Sequence, residues 1–150
     1  MSVLRDIVVG VAQLIDGAGL AKFNPSGMYA DSDTGIIFKV VPAKPDRVVI
    51  LTAVPMSDDI SMPLGQVMLQ VRTRGLPNNP LDVDDLGDSI FDLLQGRTGD
   101  VFGDTTVIQM RRTTSIPNGQ DAAERFERVD QLYLDIDYPP TALRPVQGSW

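Results

Sequence analysis

Leu4, Ile7, Val8, Val11, Leu14 and Ile15 recur at helical spacing. That period predicts an amphipathic helix over residues 3–16, stopped by Gly17 and Gly19. Residues 21–33 lose the pattern and carry turn residues, Asn24-Pro25-Ser26-Gly27 and Asp31-Ser-Asp33. Ile36 to Val41 reads as a first strand, broken by Pro42-Ala-Lys-Pro45-Asp46. Arg47 to Val54 reads as a second, apolar on both faces and so central in a sheet. Met56 to Leu64 is a polar, acidic loop holding Asp58 and Asp59.

The third strand, Val67 to Arg74, alternates most clearly. Val67, Leu69, Val71 and Thr73 fall on one face, and Gln66, Met68, Gln70, Arg72 and Arg74 on the other. A strand with one apolar face is covered on one side only. Asn79-Pro80 then reads as a helix start, Asn as cap and Pro at the first helical position. Val83, Leu86, Ile90, Leu93 and Leu94 form that helix's apolar stripe, Asp82, Asp84 and Asp85 suit the positive end of its dipole, and Gly96 stops it. Gly96 to Asp104 is turn-rich. Thr105 to Thr114 reads as a fourth strand, Pro117-Asn-Gly119 as a turn, and Glu127 to Tyr138 as a fifth strand with Leu132, Leu134, Ile136 and Tyr138 inward.

The element order is helix, three strands, helix, two strands. Short inter-strand loops predict hairpins, so the expected fold is α/β of the α+β type: a largely antiparallel five-stranded sheet with two helices on one face. Residues 1–138 form one domain on this reading. Residues 139–150 hold Pro139, Pro140 and Pro145 and read as an extended, Pro-rich C-terminal arm with apolar anchors at Leu143, Val146 and Trp150.

Composition narrows the chemistry. The chain has 150 residues, about one domain, with 43% hydrophobic and 22% charged residues. No run approaches the roughly 20 apolar residues of a membrane span, and Asp6 and Asp16 interrupt the N-terminal apolar stretch, so no signal peptide is expected. The absence of cysteine fits synthesis in a reducing cytoplasm. A net charge of −7 disfavours non-specific nucleic-acid binding. With neither His nor Cys there is no His-based triad, Cys nucleophile or ordinary zinc site, so no catalytic, cofactor-binding or metal residue is assigned. Asp31-Ser-Asp33-Thr-Gly35 resembles a calcium loop only until the twelfth position, where Pro42 stands in place of Glu. Gly96-Arg-Thr-Gly99-Asp-Val-Phe-Gly103 lacks the Lys-Ser/Thr pair of a phosphate loop. Arg72/Arg74 and Arg111/Arg112 could meet nucleic acid or a partner protein, or pair across strands with Asp135 or Asp137.

Three stretches carry a resemblance. Pro42-x-x-Pro45-Asp46-Arg47-Val-Val-Ile-Leu-Thr52, Gln66-Val-Met-Leu-Gln-Val-Arg72-Thr-Arg74-Gly75 and Gly119-Gln-Asp121-Ala-Ala-Glu-Arg125 resemble the minor capsid or tail-terminator proteins of long-tailed bacteriophages, across most of residues 3–138. The resemblance implies a structural virion protein, not an enzyme, made in the host cytoplasm. Its protomers form a ring, usually a hexamer, at the head-proximal end of the tail tube. The ring ends tube polymerisation and offers a joining surface to head-completion proteins. Implied partners are further copies of itself, the major tail protein and a stopper protein, with genomic DNA passing through unbound. In such a ring Asp31, Asp33, Asp58 and Asp59 are candidate lumen-facing residues, since repeated carboxylates repel phosphate. Arg72, Arg74, Leu143, Val146 and Trp150 are candidate interface residues. Another neck or joining protein is the nearest alternative. A small carboxylate-dependent enzyme would need two acids converging in a pocket, and a ligand or peptide binder a concave apolar one.

Overall fold

The computed structural model describes residues 2–144. Two helices, α1 (Val3–Gly17) and α2 (Asp82–Leu94), lie against a sheet of six strands: β1 (Thr34–Phe38), β2 (Arg47–Asp58), β3 (Leu64–Arg74), β4 (Asp100–Phe102), β5 (Thr105–Gln120) and β6 (Phe126–Asp137). Their order is β1-β2-β3-β6-β5-β4. β1 and β2 are parallel, and every other neighbouring pair is antiparallel.

Alternation builds the core. Val49, Leu51 and Ala53 of β2, Val67, Leu69 and Val71 of β3, and Leu132, Leu134 and Ile136 of β6 share one face and are buried. Ile7, Val11 and Ile15 of α1 and Leu86, Ile90 and Leu94 of α2 complete the same cluster, so both helices cover that face. Ser2 caps α1 by accepting from Arg5 N–H at 3.2 Å. Within α1, Gly10 is where the Phe102 ring of β4 packs; a Cβ there would fall 2.2 Å from that ring. Helix α2 repeats the device, with the Arg128 guanidinium lying against Gly87.

The differences from the sequence expectation have physical causes. The sheet has six strands, because Asp100–Phe102 pairs with Thr105–Val107 inside the stretch read as a loop. The first two strands are parallel rather than a hairpin. β1 ends at Phe38, Lys39 takes a positive φ of 67°, and residues 39–46 carry the chain back to start β2 alongside β1. β2 runs on to Asp58, beyond the expected Val54. β5 runs through Pro117-Asn-Gly119, which the pattern marks as a turn; register shifts at Arg112/Thr114 and Pro117/Gln120 accommodate those residues at the sheet edge. Helix α2 starts at Asp82 with Leu81 at its cap, not Asn79. The carboxylate of Asp82 is held by Leu76 N–H at 2.8 Å and by Arg47 at 3.0 Å, which fixes the first turn.

Candidate assembly surface

The strands define two ends of the sheet. One holds Arg47, Arg74 and Glu127; the other holds Asp58, Leu64 and Asp137.

At the first end, separate sequence stretches converge. Arg74 donates from Nε to Asp46 O (2.7 Å), from Nη1 to Pro42 O (2.8 Å) and from Nη2 to Pro45 O (2.7 Å). Three carbonyls of the 39–46 connection thus fold onto one guanidinium that is 1% exposed. Burial first, and then the nearby Arg125 charge, lower its pKa. Arg125, from the β5–β6 connection, donates to Ala43 O, to the Asp46 carboxylate (3.0 Å) and to Asp121 (2.9 Å). The three stretches that carried the family resemblance therefore meet in one bracket.

On the helix-covered face at this end, Arg128 bonds Asp130 with two N–H groups, both at 2.9 Å, and reaches Asp84 and Asp88 of α2. Ser115 donates to Asp130 at 2.6 Å. Burial alone would raise the pKa of Asp130, but bonds from Arg128 and Ser115 and the charges of Arg128 and Arg112 bring it below the usual carboxylate value. The Asp130 bonds raise that of Arg128 against its own burial.

The expected position of Arg74 is corrected here. Alternation does send it to the face away from the helices, but the 39–46 segment covers that corner and no part of the side chain is free. Arg72, on the same face, is about one-third exposed and pairs bidentately with Glu127 at 3.0 and 3.1 Å. Neither arginine pairs with Asp135 or Asp137: the register sets Asp135 opposite Gln66, at the far end of the strand, where it accepts from Gln66 Nε2 at 3.3 Å. The Arg111/Arg112 pair splits across the sheet. Arg112 stacks on Phe91 of α2 at 3.8 Å, whereas Arg111 is exposed beside the Tyr133 ring at 6.0 Å. Between the ends, Val54, Met68, Gln70, Gln131 and Tyr133 leave an open, weakly charged sheet face.

The opposite end is apolar and open. A groove of about 860 Å³ lies between the α1 N-terminus, the β2–β3 hairpin and the chain leaving β6, lined by Val3, Leu4, Pro55, Ile60, Met62 and Tyr138 among others. Ile60 is 92% exposed and Met62 54%. Leu143 is 99% exposed, at the root of the C-terminal arm. Arg144 folds back over Tyr138 at 4.4 Å. Val146 and Trp150 lie outside the described residues.

The four candidate lumen carboxylates divide between the ends. Asp33 accepts from Ala30 N–H and pairs with Lys22 at 3.6 Å, and Asp31 is exposed nearby, both in the loop before β1. Asp58 accepts from the Tyr138 hydroxyl at 2.8 Å. Asp59 holds its own turn through Ser61 N–H and Oγ, and the Ser61 bonds lower its pKa. Among the described residues no group of three or more His, Cys, Asp or Glu side chains could hold a metal ion, and no helix is long and apolar enough to cross a membrane.

Known proteins resemble this chain in sequence family and in fold. The family model described as "Bacteriophage tail terminator protein" matches residues 14–138. Among solved structures, a chain of the virion of a native gene transfer agent particle superposes with a TM-score of 0.62 at 12% identity, covering 87% of this chain and 93% of that one. At that identity the likeness is one of fold. No curated protein matches the sequence.

Proposed function

Because the chain belongs to the bacteriophage tail terminator family, a structural family of the phage virion, we propose that its copies form a ring, of six subunits, at the head-proximal end of a tail tube. The ring ends tube polymerisation and presents the surface that joins the head. The observation that carries this reading is the family match over residues 14–138, which includes every strand and both faces of the sheet. The architecture supports it: a rigid bracketed end, an open sheet face and an apolar groove make three distinct surfaces on one small protomer.

In this reading an acidic loop of each subunit, Asp31/Asp33 or Asp58/Asp59, faces the channel, and the repeated carboxylates let DNA pass without adhering. Arg72, part-exposed on the open face, serves a subunit contact. The C-terminal arm carries Leu143, Val146 and Trp150 to a neighbouring subunit or neck protein, its prolines lowering the entropy lost on docking.

A clean deletion tests the role. Tails should fail to join heads, and many should have abnormal length. Normal infectious particles would overturn the reading, and tails of normal length that merely lack heads would move the protein to a neighbouring neck position. Deleting residues 141–150 tests the arm: monomer stability should hold while attachment to tails is lost.

A further inference from the structure

The sheet ends in two half-covered edges. β1 pairs with β2 only from Arg47 to Leu51, so Thr52–Asp58 has β3 on one side and no backbone partner on the other among the described residues. On the far edge β4 covers only Thr105–Val107. The loop after α2 takes the next polar groups of β5: Gly96 N–H donates to Met110 O, Met110 N–H to Arg97 O, and Arg112 N–H to Gln95 Oε1. Beyond it, Thr113–Gln120 bonds to β6 alone.

Backbone alternation identifies the free groups. Leu51 O accepts from Lys39 N–H at 3.2 Å, so Leu51, Ala53 and Pro55 turn their polar groups outward. Across the ladder Ile50–Arg72–Val129–Ile116, Ile116 turns towards β6, which turns Ser115 and Pro117 outward. Each edge thus has one proline where an outward N–H would stand. That halves the donors and limits indiscriminate strand pairing, but Ala53 N–H, Ser115 N–H and the carbonyls stay available.

We propose that the two half-edges pair with each other between adjacent copies, Thr113–Gln120 of one subunit beside Thr52–Asp58 of the next; this rests on the ring reading above. Strand direction permits it. β2 and β5 run oppositely within a protomer, so a head-to-tail neighbour brings them together antiparallel. Charge permits it, since Asp58 is the only charged residue in either segment. Shape requires it to be staggered. The free halves sit at diagonal corners, so β4 of one copy and β1 of the next fill the steps above and below the seam.

One register satisfies both prolines. With Ile116 opposite Val54, Pro117 faces Ala53 and Ser115 faces Pro55, so each proline carbonyl meets an N–H. Val54 and Ile116, 37% and 53% exposed, then form a cross-strand pair on the open face. The stagger is the four residues from Ile50 to Val54, or roughly 13 Å at ~3.3 Å per residue, and the four strands β2, β3, β6 and β5 span about 19 Å at ~4.8 Å each. A closed circuit with that stagger tilts its strands by roughly 35°, the lower part of the ~35–45° range of closed barrels. Closure therefore needs only a tilt, not a helical climb.

The chain has no cysteine, so disulfide trapping is clean. Particles carrying Val54→Cys with Ile116→Cys in the same chain, oxidised and run without reductant, should give a ladder from dimer to closed ring. Either single substitution should give none. Thr52→Cys with Asn118→Cys, the next close pair in the same register, is the second variant should the first assemble poorly. Rings in which neither pair cross-links overturn the seam but leave the terminator reading intact. Trapping that stops at dimers overturns it too, because it means a two-fold contact. Absence of the unmodified chain from the head-proximal tail end defeats the ring reading itself.

Discussion

At one end of the sheet Arg74, Arg125, Arg128 and Arg47 are held by carbonyls and carboxylates of the same protomer; at the other, Ile60 and Met62 stand in solvent beside a groove of about 860 Å³. The first end holds buried charge with its partners supplied; the second holds apolar surface with none. Charge buried and satisfied fixes a shape, because every alternative arrangement strands a polar group. Apolar surface left exposed has its stabilisation still to be gained, and a partner can supply it. The bracketed end therefore reads as scaffold and the hairpin end as contact surface.

Arg74→Ala strikes hardest at the bracketed end. It strips the donors from Pro42 O, Pro45 O and Asp46 O, and with each buried acceptor left unsatisfied costing about 1–3 kcal/mol the expected loss is about 3–5 kcal/mol. In thermal melts the midpoint should fall by roughly 10 °C. A loss under about 1 kcal/mol would mean that the 39–46 segment is held by something else, and Arg74 would return as an interface candidate. Next is Gly87→Ala. Helix propensity alone favours alanine by up to ~1 kcal/mol, but the new Cβ would sit 2.8 Å from Arg128 Cζ. Displacing that guanidinium from Asp84, Asp88 and Asp130 should make the net change a destabilisation of about 1–3 kcal/mol in urea titrations. A stabilised variant would show that the cluster is loose.

The ends should also part in pH. Asp130, Asp82, Asp46 and Asp121 belong to the bracketed end, and each is held below its ordinary pKa by arginine or lysine partners despite burial. A depressed carboxylate contributes stability that is present above the unfolded value of about 3.9 and is lost as pH falls through the folded one. At the hairpin end burial and Asp58 raise the pKa of Tyr138. Its contribution is whole below the unfolded value of about 10 and goes as pH rises through the folded one. Hydrogen exchange should show acid opening the 39–46 segment first and alkali opening the hairpin end first. The reverse order would refute the assignment. The smallest effect on stability belongs to Ile60→Ser with Met62→Ser, expected within about 0.5 kcal/mol. Attachment to tails should nevertheless drop about tenfold or more if these are docking anchors. Unchanged attachment would remove the hairpin end from the contact surface.

Much of the protomer was legible in the chain. Val67 to Thr73 announced their face by strict alternation, and α1 its stripe by spacing, because burial demands those periods whatever the packing partner. The β4 strand was not legible, since its three residues are too few to show a period. Pro117-Asn-Gly119 misled because turn chemistry and an outward-facing edge look alike locally. The groove gave no signal, since it is made of residues from both ends of the chain. Gly10 and Gly87 carried a faint one, as glycines on the apolar faces of helices.

Local spacing and contiguous motifs are enough to specify two helices, most strands, the single covered face and the family. What the arginines do depends on how distant segments pack. Arg72 and Arg74 have the same side-chain type, strand and face, yet one reaches Glu127 at the surface and the other is sealed beneath Pro42, Pro45 and Asp46. That difference depends on where a segment about 30 residues earlier in the chain crosses the sheet. Strand alternation tells which face a side chain leaves from. It carries no information on whether another part of the chain lies over that face.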